Sequence, residues 1–200
     1  MRRPFRLSNG AVDVLLETTR LILRRFTEAD VDDLVELDSD PDVMRYINGG
    51  RPTPREEIAD DILPAYLRYH EKWEAFGFWA AIEKSTGDFV GWFHFLPQDD
   101  SNLDVVELGY RLRKSSWGMG LATEGSRALI DKGFRDLGTK RVFAETMVVN
   151  TASRRVMEKA GLEFDHIFHA EWPDRIEGDE HGDVQYALTR EKWERRRTSS

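Results

Sequence analysis

The chain of 200 residues contains no cysteine. Disulfides, thiolate nucleophiles and cysteine-held zinc are therefore excluded. It also lacks any apolar run approaching the roughly 18 residues that a membrane-spanning helix needs, so no membrane partner is expected. Basic residues are not in excess: 37 Asp and Glu against 29 Lys and Arg leave a net charge of -8. Nucleic-acid-binding domains are normally basic, so no nucleic-acid partner is expected. The acidic balance serves solubility first, and beyond that would steer a cationic partner. The basic start, Met1-Arg2-Arg3-Pro4-Phe5-Arg6, has no apolar segment behind it and does not read as a signal peptide. The cytoplasm is the expected compartment. Internal repeats and low-complexity tracts are missing as well.

What is present is a change of hydrophobic period along the chain. Leu21-Ile22-Leu23 reads as a first strand after a loose lead-in over residues 1–14. Thr27-Glu28-Ala29-Asp30 has capping-box spacing and precedes Val31, Leu34, Val35 and Leu37 at helical intervals. A second short helix from Asp40-Pro41 ends at Asn48-Gly49-Gly50. A third, from Thr53-Pro54, carries Ile58, Ile62, Tyr66, Tyr69 and Trp73, with Pro64 expected to kink or split it. A hairpin follows (Phe78–Ile82 and Phe89–Phe95), then a strand over Asp104–Leu112, a helix over Gly120–Leu137 and a β-branched strand over Val142–Val149. A helix over Thr151–Ala160 stops at Gly161, and strands Leu162–Ala170 and Val184–Leu188 precede a charged tail with Trp193 as its anchor. This order predicts an α/β domain whose helices interrupt one central sheet.

The chemistry-bearing candidate is the stretch Trp117-Gly118-Met119-Gly120, between a strand and a helix. Strand, glycine turn and helix together aim backbone N–H groups and the positive end of the helix at an anion. A lone G-x-G is a weak signal found in many ordinary turns. The third glycine of a dinucleotide fingerprint is missing, and so is the Gly-Lys-Ser/Thr of a phosphate-binding loop.

Three separated motifs make the pattern specific. Glu107-Leu108-Gly109-Tyr110-Arg111-Leu112, then Trp117-Gly118-Met119-Gly120-Leu121-Ala122-Thr123-Glu124, then Asn150-Thr151-Ala152-Ser153-Arg154-Arg155-Val156-Met157-Glu158-Lys159-Ala160-Gly161-Leu162 together resemble the GCN5-related N-acetyltransferases, the GNAT family. Within it they resemble the RimJ/RimL-like branch, as does Glu17–Arg24. The resemblance runs from about Leu16 to Leu188. It implies a single GNAT-like α/β domain with a mixed, mostly antiparallel sheet flanked by helices and splayed between strands near 105–112 and 142–149. Residues 15–190 would be that acetyltransferase domain and 191–200 a charged tail.

The resemblance also implies acetyl-CoA as cosubstrate, without a metal. Main chain of Tyr110, Arg111 and Leu112 would pair with the pantetheine arm. The turn Trp117, Gly118, Met119, Gly120 and the N–H groups of Leu121, Ala122 and Thr123 would hold the pyrophosphate. Ser115 departs from the family's usual Gln or Arg, so Arg113 or Lys114 is expected to supply charge instead. Asn150 caps its helix and would contact the pantetheine arm. Met157 stands where many relatives carry a proton-donating Tyr. Ser153, three residues after Asn150, resembles the serine donor of the RimL-like branch, and the resemblance makes it the candidate acid. Glu107 is the first candidate base, ahead of His94.

The bland readings stand beside these. Leu108 and Leu112 are core in any case, and a histidine on an apolar strand is usually structural. His166, His169 and His181 lie near Glu171, Asp174 and Asp183 without metal-ligand spacing. The acidic segment Glu171–Asp183 reads as a solvated loop that could border an acceptor pocket. Tyr66, Tyr69, Trp73, Phe76 and Trp79 are mostly core, with some facing the acceptor. Trp193, taken as exposed, offers a homodimer contact.

The expected function is transfer of an acetyl group to a primary amine, on a protein N-terminus or on a small molecule or antibiotic. The alternative is a non-catalytic coenzyme A-binding or sensing module. A nucleotide-binding regulator, the third class, lacks a Mg²⁺-binding motif.

Overall fold

Eight strands join in one sheet: β1 (Val14–Glu17), β2 (Leu21–Arg25), β3 (Gly77–Glu83), β4 (Phe89–Asp99), β5 (Asn102–Leu112), β6 (Arg141–Met147), β7 (Glu163–Phe168) and β8 (Asp183–Thr189). Their spatial order is β1-β2-β3-β4-β5-β6-β8-β7. Every neighbouring pair is antiparallel except β5–β6, which is parallel. The mixed, mostly antiparallel sheet of the expected α/β fold is therefore present. This computed structural model describes residues 13–170 and 175–198. The expected lead-in lies outside the described residues up to position 12, as do Glu171, Asp174 and the last two residues of the tail.

Helices cover both faces. On one side lie α1 (Val31–Ser39), α2 (Pro41–Asn48) and a continuous helical segment made of α3 (Arg55–Glu57), a π-helical turn (Ile58–Ile62) and α4 (Leu63–Lys72). The π turn answers the expected break at Pro64. Proline has no N–H for the α ladder, and the wider turn just before it closes instead on a bond from Leu63 N–H to Ile58 C=O. On the other side lie α5 (Leu121–Asp136) and α6 (Thr151–Ala160). Alternation along β4 feeds the two cores. Phe93 and Phe95 belong to the cluster under α5 and α6, and Trp92 to the cluster under α1–α4.

Two elements were not foreseen. β1 pairs antiparallel with β2, within a region read as lead-in and motif. The charged tail begins as helix α7 (Arg190–Thr198). Trp193 is its anchor, as expected, but the ring is half-buried and not exposed. Its Nε1 donates to Asp131 Oδ1 at 2.7 Å and its face packs on Phe134, so it belongs to this chain's own core. Arg196 and Lys192 add ion pairs to Glu163 at 2.5 Å each. Among the described residues no helix is long and apolar enough to cross a membrane.

Candidate active site

The parallel pairing of β5 with β6 lasts for three residues, Val105–Glu107 against Arg141–Phe143. Beyond Glu107 the strands part, while β5 continues to Leu112 and β6 to Met147. Arg113 N–H bonds to Val90 C=O on the β4 side. Main-chain groups alternate sides along a strand, so Leu108, Tyr110 and Leu112 turn theirs into the gap. The Leu112 C=O is taken by Trp117 Nε1 at 2.9 Å, which pins the glycine turn to the strand end. The gap thus offers an open strand edge between its Glu107 apex and its Trp117 mouth. An extended, amide-bearing chain fits such an edge by added-strand pairing.

At the mouth, Gly118 and Gly120 both adopt left-handed φ, 74° and 79°, which explains why glycine stands at these positions. A Cβ on Gly118 would meet nothing within 4 Å, so the turn is open to a ligand. Helix α5 has no side-chain cap, and its ladder begins with Glu124 N–H on Gly120 C=O at 3.0 Å. The N–H groups of Leu121, Ala122 and Thr123 therefore precede the ladder, as an anion site requires. The expected substitutes for Ser115 are engaged elsewhere. Arg113 Nη2 is held by Asp33 and Glu36 of α1, each at 2.9 Å, and Lys114 pairs with Asp42 of α2. Both cations fasten the loop to the helices. A cation that was not anticipated meets the turn: Arg20, from the β1–β2 turn, donates through Nη1 to Met119 C=O at 2.8 Å.

On the α5/α6 face, Asn150 caps α6 by accepting from Ser153 N–H at 3.2 Å and donates to Thr146 Oγ1 at 3.1 Å. The Ser153 hydroxyl lies 3.0 Å from Tyr110 OH, which also donates to Ser153 C=O at 3.0 Å. Burial pushes the Tyr110 phenol far up, outweighing its contact with Ser153. Met157 is buried and holds the core. A tyrosine hydroxyl therefore reaches Ser153 from β5.

On the opposite face, His94 lies diagonally across from Glu107, Nε2 to Oε1 at 3.5 Å. That is ion-pair range, longer than a well-formed hydrogen bond. Burial works against the Glu107 carboxylate, and the neighbouring imidazole more than offsets it. The carboxyl is held below the ordinary glutamate range. His94 stands opposite Gly109. A Cβ there would come within 2.4 Å of the ring. Gly109→Ala is accordingly expected to push the imidazole off Glu107 and destabilise the fold by about 1–3 kcal/mol, as overpacking does. Urea unfolding reads this, and an unchanged midpoint would show that the ring has room to move.

One carboxylate was missed. Glu145, on β6 two residues past the last β5–β6 pair, shares the Glu107 face and accepts from Gln185 Nε2 at 2.6 Å. Desolvation raises its carboxyl above the ordinary range despite the Gln185 bond, and the charges of Glu107 and Asp183 add to the rise. In sequence it is one residue of a plain strand.

Arg111 departs from expectation too. Its main chain belongs to the β5 stretch, but its side chain is buried under α1, where Nη1 meets Asp38 Oδ1 and Oδ2 at 2.7 and 2.6 Å. Its guanidinium lies 5.0 Å from the Trp92 ring centre. Tyr66, stacked on Phe78 beside this pair, is pushed up to about 12 by burial. Phe76 and Trp79 are fully core. Loop residues 175–182 lie beside α2: Ile176 is next to Gly49, Glu177 pairs with Arg45 at 3.6 Å, and Asp179 is held by Arg175. His166 and His181 lie within ion-pair range of their sequence neighbours Asp165 and Glu180. Among the described residues no group of three or more His, Asp or Glu could hold a metal.

Comparison with known proteins follows the same lines. The model of the family described as Acetyltransferase (GNAT) domain matches residues 20–163. FsC-acetyl coenzyme A-N(2)-transacetylase of Aspergillus fumigatus is 33% identical over 184 residues, covering 89% of this chain and 77% of that protein. RimL, a ribosomal L7/L12 alpha-N-protein acetyltransferase solved with coenzyme A, superposes with a TM-score of 0.73 at 20% identity, over 88% of this chain and 98% of that one. The aminoglycoside acetyltransferase AAC(6')-Ib with coenzyme A gives 0.68 at 21% identity, over 88% and 99%. At these identities the two structures show a shared fold.

Proposed function

The chain belongs to the GNAT acetyltransferase family, and from that premise we propose that it carries an acetyl group from acetyl-CoA to a primary amine bound on the Glu107–Glu145 face of the sheet. It is an acetyltransferase with acetyl-CoA as cosubstrate, and acetyl-CoA supplies the acyl thioester. The observation that carries the assignment is the wedge between β5 and β6. It leads from an uncapped helix and glycine turn, along an open strand edge, to two carboxylates. The residues present fit the cosubstrate: N–H groups 121–123 for the pyrophosphate, and the strand edge 108–112 for the amide-bearing arm.

The candidate acid and base sit on opposite faces of the sheet and meet only through the wedge. Ser153, with Tyr110 behind it, is the proposed donor to the leaving thiolate. Glu107 and Glu145 divide the work on the amine. Glu107, held ionised by His94, attracts and orients an ammonium group. Glu145, with its carboxyl pushed up, is the better proton acceptor, because a base works best as its pKa approaches the operating pH. Holding amine and thioester in register contributes the rest. Membership in the RimJ/RimL-like branch is part of the proposal, supported by Glu17–Arg24 and by Ser153 three residues after Asn150.

The reading favours a small-molecule amine. The relative named as an N(2)-transacetylase supports an amine acceptor. The experiment is free-thiol release from acetyl-CoA against a panel of small amines and N-terminal peptides. Turnover on small amines is expected. Turnover on peptides alone would overturn the acceptor, and failure to bind coenzyme A would overturn the whole assignment.

A further inference from the structure

Arg20 and Glu124 come from distant parts of the chain, the β1–β2 turn and the first turn of α5. Glu124 Oε1 accepts from Thr18 Oγ1 at 2.6 Å and from Arg20 N–H at 2.8 Å. Glu124 Oε2 accepts from Arg20 Nε and Nη2, both at 2.6 Å. Burial alone would raise this carboxyl, but its hydrogen bonds and the guanidinium outweigh that and hold it below the ordinary range. The β1–β2 turn is anchored from its other side, since Lys84 N–H bonds to Arg20 C=O at 2.8 Å and Lys84 Nζ to Thr18 C=O at 2.7 Å. With Nε and Nη2 so fixed, Nη1 is held at a defined place, and it donates to Met119 C=O at 2.8 Å.

Met119 is the residue between the two left-handed glycines. A glycine turn of that kind has many accessible conformations, and Trp117 fixes its start without fixing the peptide between the two glycines. In a trans peptide the C=O and the following N–H point in opposite directions, and there is no cis bond among the described residues. Fixing the Met119 carbonyl against Arg20 therefore turns the Gly120 N–H away from Arg20, to the exposed side of the turn. That donor then stands beside those of Leu121–Thr123. Gly120 itself stays close to the clamp, since a Cβ placed there would lie 3.5 Å from Arg20 Nη2.

We propose that the Arg20–Glu124 pair is a positioning clamp that presets the Trp117–Gly120 turn for the pyrophosphate of coenzyme A, in place of the side chain that Ser115 does not provide. This rests on the acetyl-CoA reading above. The clamp acts through the Met119 carbonyl. Its charge is balanced by Glu124, so it works by orientation and not as a free cation.

The test measures coenzyme A binding by calorimetry, with steady-state rates alongside. Arg20→Ala is expected to weaken coenzyme A about tenfold, the effect of losing a charged hydrogen bond. It should raise the acetyl-CoA KM to match, with kcat at saturation and the acceptor KM within about twofold. Glu124→Gln should do the same, and the double variant should be no worse than Arg20→Ala alone. Arg20→Lys keeps the charge and loses the fork, and should restore little. Unchanged coenzyme A affinity in Arg20→Ala, or full rescue by lysine, would overturn the clamp. So would parallel losses of kcat and melting temperature with KM unmoved. If the parent protein fails to bind coenzyme A, the functional assignment falls, which is a different result from a parent and an Arg20→Ala variant that bind alike.

Discussion

Asp38→Ala is expected to destabilise the protein by about 3–5 kcal/mol, because it leaves the Arg111 guanidinium buried without its counter-ion. The Asp38 side chain is 4% exposed and that of Arg111 16%, so solvent screens the pair little. Removing one partner strands a charge in an apolar wall made by Trp92, Tyr66 and Phe78. Replacing both partners removes the stranded charge. Asp38→Ala with Arg111→Met should therefore be more stable than Asp38→Ala alone. Urea unfolding followed by tryptophan fluorescence reads both variants. A loss below about 1 kcal/mol in the single variant would show that water reaches the guanidinium.

The pair also has a place in the site. Arg111 lies on β5 between Tyr110 and Leu112, whose main chain opens into the wedge, and Asp38 is the penultimate residue of α1. Their bond ties the helical cover to the strand that forms one wall of the wedge. A destabilised variant should therefore also bind acetyl-CoA less tightly.

Local pattern carried most of the fold. The period changes at the β3–β4 hairpin and at α5 were plain, and Gly161 stopped α6 at the expected residue because a left-handed cap needs glycine. β1 was too short and mixed to announce itself: Val14–Glu17 becomes a strand because β2 offers it an edge. Helix α7 has no apolar stripe. It is held by one tryptophan and by ion pairs to residues that the sequence does not place nearby.

The site divides in the same way. Its glycines, its uncapped helix and its Asn-x-x-Ser segment are local signals and were readable. Arg20 with Glu124, Asp38 with Arg111 and Glu145 near Glu107 are pairings across 104, 73 and 38 positions, made only by the packing of helices and strands. For the same reason the sequence could not show what Arg113 and Lys114 pair with. Sequence placed them beside the turn, and folding gave their charges to α1 and α2.

Glu145→Gln is expected to lower kcat/KM about 100-fold, the scale of a lost general base. The pH profile then separates it from Glu107. A base must be ionised to act, so activity falls on the acid side as its carboxyl takes up a proton. Glu145 is raised, so the acid limb of kcat/KM should lie above the ordinary glutamate range and vanish in Glu145→Gln. Glu107 is lowered and stays ionised across that limb. Glu107→Gln should therefore weaken the acceptor, seen as a higher amine KM. It should also move the limb to lower pH, because one of the negative charges that raise Glu145 has gone. A base role for Glu107 predicts the reverse: a limb below the ordinary range, abolished by Glu107→Gln and untouched by Glu145→Gln. The two profiles move in opposite directions, so one set of rate measurements decides which carboxylate takes the proton and which holds the amine.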